Sequence, residues 1–177
     1  IDDISSWDVS SAVNMNYLFY FNGYMDNVEL SAWDVSNVES MKYMFAGTKF
    51  NQNISSWNVS SVKDMSYMFY SWDNADGSGF KLDIGNWDVS NVIFMQGMFW
   101  GARNQSNPDF SSWDVSSVRD MSYMFYLTNY FNSQLSAWDV SSVESMRGMF
   151  AESYFNQNIG SWDVSSVVDM GYMFDTS

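Results

Sequence analysis

The chain has 177 residues, 46% of them hydrophobic, with 9 Trp, 11 Tyr, 14 Phe and 14 Met but no Cys and no His. That composition supplies a large core and rules out disulfides, thiol catalysis, His general bases, His-containing triads and nearly every zinc or copper site. With 21 acidic residues against 7 basic ones the net charge is −14, a field that repels nucleic acid and anionic membranes. The longest nearly apolar run, Val92 to Ala102, falls well short of the roughly 20 residues that span a bilayer, so neither nucleic acid nor a membrane span is expected.

A repeat dominates the sequence. The triplet Trp-Asp/Asn-Val begins at Trp7, Trp33, Trp57, Trp87, Trp113, Trp138 and Trp162, at intervals of 26, 24, 30, 26, 25 and 24 residues. Three positions after each Trp stands a Ser, from Ser10 to Ser165. Eight after stands a Met, from Met15 to Met170. Eleven after stands Leu18 or a Met, and twelve after stands a Phe, from Phe19 to Phe174. All Met except Met25 fall in these two columns, which marks them as core filling rather than a metal-binding cluster.

Within each copy the first element is a short strand. Ile4, Trp7 and Val9 set the pattern, which recurs as Leu30, Trp33, Val35 and as Ile54, Trp57, Val59. The Ser that follows suits a helix N-cap, and Ser36 with Glu39 and Ser141 with Glu144 read as capping boxes. Val38, Met41, Met44 and Phe45 then fall at helical spacing, predicting a helix of about ten residues. A turn-rich segment such as Ala46 to Asn53 returns the chain to the next strand. One such unit cannot bury its own apolar face, so the copies must stack. The fold expected is an α/β repeat solenoid spanning residues 1–177: a right-handed, leucine-rich-repeat-like coil of about seven turns. Each turn of about 26 residues carries one short parallel strand and one short helix, with the strands on the concave side.

The segments from Ile54 to Phe69 and from Phe155 to Phe174 resemble the bacterial-surface-protein 26-residue repeat, the BspA-like leucine-rich repeats, over essentially the whole chain. The resemblance implies a large surface or secreted protein, an extracellular or cell-surface location, adhesion as the usual role, and no catalytic residues to transfer. One departure stands out. The slot of the ladder-forming Asn holds Val38, Val62, Val92, Val118, Val143 and Val167, with Ala12 in the first copy. The backbone there must find other partners, for which the Ser column is the candidate.

Three groups of residues invite a functional reading. Asp8, Asp34, Asp88, Asp114, Asp139 and Asp163 form a column interrupted by Asn58. Carboxylates about 5 Å apart repel by roughly 1 kcal/mol in water. They need Ser hydroxyls and backbone amides, or hard cations, to compensate. Paired-carboxylate catalysis is disfavoured because it needs two unlike environments. The insertion after Tyr70 places Asn74, Asp76, Ser78 and Gly79 like the first half of a calcium loop, but Gly85 stands where the bidentate Glu belongs. Structural calcium at Asn74, Asp76 and Ser78 is the only cofactor considered, and the alternative is a Gly/Asp turn. Lastly, Ile93 and Phe94 replace the polar pair found at this point in most copies, with Trp72 and Trp100 nearby and outside the Trp column. These four form either a partner-docking patch or a local core beneath the loop at 70–80.

The function expected from these features is non-catalytic: a structural or binding module that mediates adhesion or assembly. Its partner is another protein or a glycan, with further repeats of the same protein among the candidates. The alternatives are ice or lattice binding, against which the lack of a Thr column counts, and a carbohydrate-active enzyme. Neither end carries a polar capping repeat, so the chain is expected to be a segment of a longer protein or to abut a partner at one end.

Overall fold

The computed structural model describes residues 3–25, 27–71, 83–102 and 107–177. Each copy of the repeat forms one rung, and rungs 1 to 7 are stacked in sequence order. Isolated parallel bridges join them in series: Asn14 to Ser40, Ser40 to Asp64, Asp64 to Phe94, Phe94 to Asp120, Asp120 to Ser145 and Ser145 to Asp169. A single apolar core cluster runs through all seven rungs.

The expected α/β architecture is not what forms. Among the described residues there is no helix and no strand longer than these bridges. Where the helix was predicted, the chain makes successive tight turns. In rung 2 the amides of Met44, Ala46 and Thr48 donate to the carbonyls of Met41, Tyr43 and Phe45, three residues back. The intervening amides of Met41, Tyr43, Phe45 and Gly47 leave the rung and donate to Asp64, Ser66, Met68 and Tyr70 of rung 3, at 2.7–3.0 Å. Tyr43 and Gly47 have positive φ, 55° and 68°. A positive φ at the third position of a closed four-residue turn is the type II geometry.

Two physical facts favour this arrangement over a helix. A helix with its side chains is about 10 Å across, whereas the Phe rings of adjacent rungs stack only 5.6–6.0 Å apart. Helices at that spacing would overlap. A helix also spends its amides internally and leaves the rungs unbonded, whereas alternate turns divide the amides between both tasks. Met41, Met44 and Phe45 still point into the core, so the apolar spacing read as helical is met by turns. The expected capping boxes do not form, because Ser36 instead donates its amide to Asp34.

On the opposite side, Trp-Asp-Val in rungs 2 to 6 alternates buried Trp and Val with an exposed middle residue, but its backbone makes no bond to a neighbouring rung among the described residues. Side chains hold the rungs there. Each indole Nε1 from Trp33 onward donates to a carbonyl one rung back, Trp33 to Ile4, Trp57 to Leu30, Trp87 to Ile54, Trp113 to Ile84, Trp138 to Phe110 and Trp162 to Leu135, at 2.9–3.2 Å. Next to the Ser column, Asn37, Ser61 and Asn91 donate to the carbonyls of Ser10, Ser36 and Ser60. The Val in the former Asn slot closes its own turn, as Val38 does on Val35. Ring spacing rises from 4.6–4.9 Å in the stack of Tyr17, Tyr43 and Tyr67 to 6.4–6.5 Å in the Trp column.

Gly97 tests this packing. It holds φ at 58°, and a Cβ placed on it would run into the Tyr67 ring. Gly97→Ala should cost about 1–2 kcal/mol from the left-handed backbone alone, and more from the collision. In a Tyr67→Ala background only the backbone part should remain. Urea denaturation of the four chains of this cycle measures the difference; equal costs in both backgrounds would show that ring and glycine do not meet.

Candidate binding surface

The Asp column is a local device. The Oδ1 of Asp8, Asp88 and Asp114 accepts both the amide and the hydroxyl of the Ser two residues on, with the hydroxyl bond at 2.6 Å. Asn58 does the same for Ser60. The column thus stabilises the bend after Trp-Asp-Val, with Ser hydroxyls and amides as its compensation. Asp34, Asp139 and Asp163 accept the amide of the Ser two residues on, and the Ser side chain, followed by the Ser amide, holds the carboxyls of Asp8, Asp34, Asp88, Asp139 and Asp163 below the usual value. Neighbouring carboxylates act the other way as the weakest influence, on Asp34 from Asp8 and on Asp163 from Asp139. Local hydrogen bonding outweighs repulsion along the column. No group of three or more acidic residues placed to hold a metal occurs among the described residues.

The second surface feature is an aromatic strip along the turn side. Ten positions after each Trp the residue is Tyr or Gly: Tyr17, Tyr43, Tyr67, Gly97, Tyr123, Gly148, Tyr172. Tyr17, Tyr43 and Tyr67 stack at 4.9 and 4.6 Å with planes within 10°. The Tyr67 ring then lies over Gly97, and the Tyr123 ring over Gly148. Trp100 fills the space that the missing Tyr of rung 4 leaves. It lies 6.2 Å from Tyr67 and 5.3 Å from Tyr123, with its edge contacts to Tyr70 at 5.7 Å and to Tyr126 at 4.8 Å. At the far end Arg147 donates from Nε to the Tyr123 hydroxyl at 2.9 Å and lies 4.8 Å over the Tyr172 ring. The strip therefore runs from rung 1 to rung 7.

Its electrostatics follow from this packing. Burial, helped by the neighbouring phenols Tyr67 and Tyr17, pushes Tyr43 up to about 12. Burial also raises Tyr67 and Tyr70. Tyr126 is raised chiefly because its hydroxyl donates to Glu152 Oε1 at 2.8 Å. The phenols are held neutral, as hydrogen-bonding edges rather than as charges.

The structure divides the predicted patch. Trp100 belongs to the strip. Phe94 occupies the bridge column between Asp64 and Asp120 and is 45% exposed, and Ile93 beside it is half-buried. No ring contact joins Phe94 to Trp100 among the described residues. Trp72 and the predicted calcium ligands Asn74, Asp76 and Ser78 lie outside the described residues. Sequence reasoning missed the Tyr/Gly column and the indole donors. The first had a visible signal, since a position that takes either Tyr or Gly suits a left-handed backbone and not a helix interior.

A family model described as "Mycoplasma protein of unknown function, DUF285" matches residues 1–108 and again 72–177, and the chain belongs to this family. No curated protein and no solved structure matches the chain. The repeat resemblance thus holds at the level of a repeat family, without the strand and helix that a leucine-rich repeat carries in every turn.

The Asp-Ser bonds set an acid dependence. The five lowered carboxyls have an ordinary value of 3.8. Below that value the unfolded chain binds more protons than the folded one, so stability rises with pH there. Their contribution is complete above about pH 5 and is lost as pH falls through the folded values. Ser10→Ala with Ser90→Ala, which remove the 2.6 Å hydroxyl bonds to Asp8 and Asp88, should lower the melting temperature at about pH 7 more than at about pH 2. Equal shifts at both pH values would mean that the hydroxyls do not act through the carboxylates.

Proposed function

We propose that the chain is a non-catalytic binding module of a surface or secreted protein, and that its aromatic strip docks a protein partner. The observation that carries this reading is the continuity of the strip over seven rungs. Tyr and Trp are the side chains most often responsible for interface energy, because they bury much area at little entropic cost and keep a polar edge. The orientation of the rings favours a protein over a glycan. Sugar rings stack on open aromatic faces, whereas Tyr17, Tyr43 and Tyr67 cover one another's faces and offer edges and hydroxyls.

The alternatives have less support. The hydroxyls of Thr48 and Thr128 turn inward to the carbonyls of Phe45 and Phe125, so neither can contribute to an ice-matching array. The Asp column repeats one environment, while glycoside hydrolysis requires two. The surface or secreted location draws on the resemblance to bacterial surface-protein repeats.

The test compares the native chain with Tyr20→Ser/Tyr126→Ser, where exposed Tyr20 sits edge-on to Tyr17 and Tyr43 of the strip and half-exposed Tyr126 edge-on to Trp100 and Tyr123, and with Phe94→Ser. Each is immobilised and offered solubilised cell-surface proteins and, separately, a glycan array. Native chain should retain a specific protein, and the strip variant, shown by circular dichroism to be folded, should lose it by tenfold or more, while Phe94→Ser retains it. Glycan binding without protein capture contradicts the proposal. Loss confined to Phe94→Ser moves the docking surface to the bridge column.

A further inference from the structure

The segments that return the chain from one rung to the next carry a polar column of their own. Six positions before the column Trp stands Asn27, Asn51, Asn107, Asn132 or Asn156, but the fourth copy has Lys81 there. Asn107 Oδ1 accepts the amide of Asn132 at 2.8 Å, and Asn132 Oδ1 accepts that of Asn156 at 3.0 Å. Asn132 Nδ2 donates to Asn156 Oδ1 at 2.9 Å, and Gln134 Nε2 donates to Gln157 Oε1. The ladder of rungs 5 to 7 thus starts at Asn107, in the interior of the array, where the sequence interrupts the column. An open groove of about 280 Å³ lies at that point. Its lining among the described residues is Asn107, Asp109, Ser111, Asn132, Ser133 and Gln134, all of them polar.

The ladder leaves polar atoms of the groove unspent. Asn107 holds φ at 43°, a left-handed backbone that Asn tolerates. Its Oδ1 also accepts the Ser133 hydroxyl at 3.0 Å, which assigns the other side of the amide to Nδ2, and Nδ2 has no acceptor among the described residues. Asp109 spends Oδ1 on the Ser111 amide at 2.9 Å. Its Oδ2, and Gln134 Oε1, accept from no described residue. The amide and then the hydroxyl of Ser111 hold the Asp109 carboxyl below its usual value, so it is an acceptor at neutral pH. A hard cation takes about six to eight oxygens, several of them charged, and this lining has one carboxylate. An anion meets no basic side chain in the lining and a net charge of −14. A neutral ligand rich in hydroxyls fits, because each hydroxyl both donates and accepts. Tyr130 adds an apolar face beside it. It lies outward with Asn132 and Gln134, is 57% exposed and touches no other ring among the described residues, while Phe131 packs inward on Phe125. We infer that this groove binds a neutral sugar, with adjacent hydroxyls of one pyranose ring held by Asn107, Asp109 and Gln134 and the ring's apolar side against Tyr130. The groove shares no residue with the aromatic strip and is independent of what the strip docks.

The test follows the side-chain amide signals of isotope-labelled chain by proton–nitrogen NMR. Methyl glycosides of glucose, galactose, mannose and N-acetylglucosamine are added singly, each to about 20 mM, which nearly fills a site with a Kd of about 1 mM. At least one should shift the signals of Asn107 and Gln134. Asp109→Asn keeps the bond to the Ser111 amide, as Asn53 and Asn158 do for Ser55 and Gly160, and exchanges only the free acceptor for a donor. Asp109→Asn and Tyr130→Ala, both checked by circular dichroism for folding, should each weaken binding of that glycoside at least fivefold. Tyr20→Ser/Tyr126→Ser should leave it unchanged, and the anionic sugar N-acetylneuraminic acid should cause no shift. The inference is overturned by silence toward all four neutral glycosides, by undiminished affinity in Asp109→Asn, or by an equal response to N-acetylneuraminic acid. A response of the same signals to calcium chloride and to no sugar would overturn it as well, and would make the groove a cation site.

Discussion

The division of backbone amides in the Met-Tyr-Met-Phe run is the constraint on which the rest of the structure depends. Odd and even peptide groups face opposite ways, one set closing turns and the other bonding the next rung. Every amide from Met41 to Thr48 has a partner, that of Lys42 being the Asn16 side chain. Buried backbone groups must be satisfied, and this pattern satisfies them at a rung spacing too tight for helices. It also fixes where the first turn of each rung passes through left-handed backbone, at Tyr17, Tyr43, Tyr67, Gly97, Tyr123, Gly148 and Tyr172, with a second such position four residues on in most rungs, as at Gly47.

The energetic balance at those positions explains why Tyr is tolerated. A left-handed non-glycine residue costs about 1–2 kcal/mol. Each stacked aromatic contact contributes about 0.5–1.5 kcal/mol beyond area burial, and each backbone hydrogen bond about the same net. Tyr43 gains stacking on both sides as well as the bond from its amide to Ser66. Where the column holds Gly the backbone strain is absent, and the ring of the preceding rung moves over the bare backbone instead. The aromatic strip thus follows from the backbone solution: it lies where the left-handed residues place their side chains.

Much of this was legible in the sequence. The Trp, Ser, Met and Phe columns, the stacking of copies and the filled core follow from periodicity, and the compensation of the Asp column by Ser follows from the chemistry of adjacent carboxylates. The helix was misread because Val38, Met41, Met44 and Phe45 share a face in a run of turns as they would in a helix. Side-chain periodicity reports which residues point inward, not how the backbone bonds. Trp was read only as apolar bulk, and its indole N–H, the group that joins the Trp-Asp-Val sides of the rungs, was overlooked. Which amides close turns and which bond a neighbouring rung cannot be read from residue types at all.

The central claim is that the turn-run amides bond between rungs. It is tested most directly by scalar couplings across hydrogen bonds in an NMR experiment on isotope-labelled chain. The account predicts coupling from the Tyr43 amide nitrogen to the carbonyl carbon of Ser66 in rung 3, and from Phe45 to Met68. A coupling from Tyr43 to Glu39, four residues back as in a helix, would contradict it.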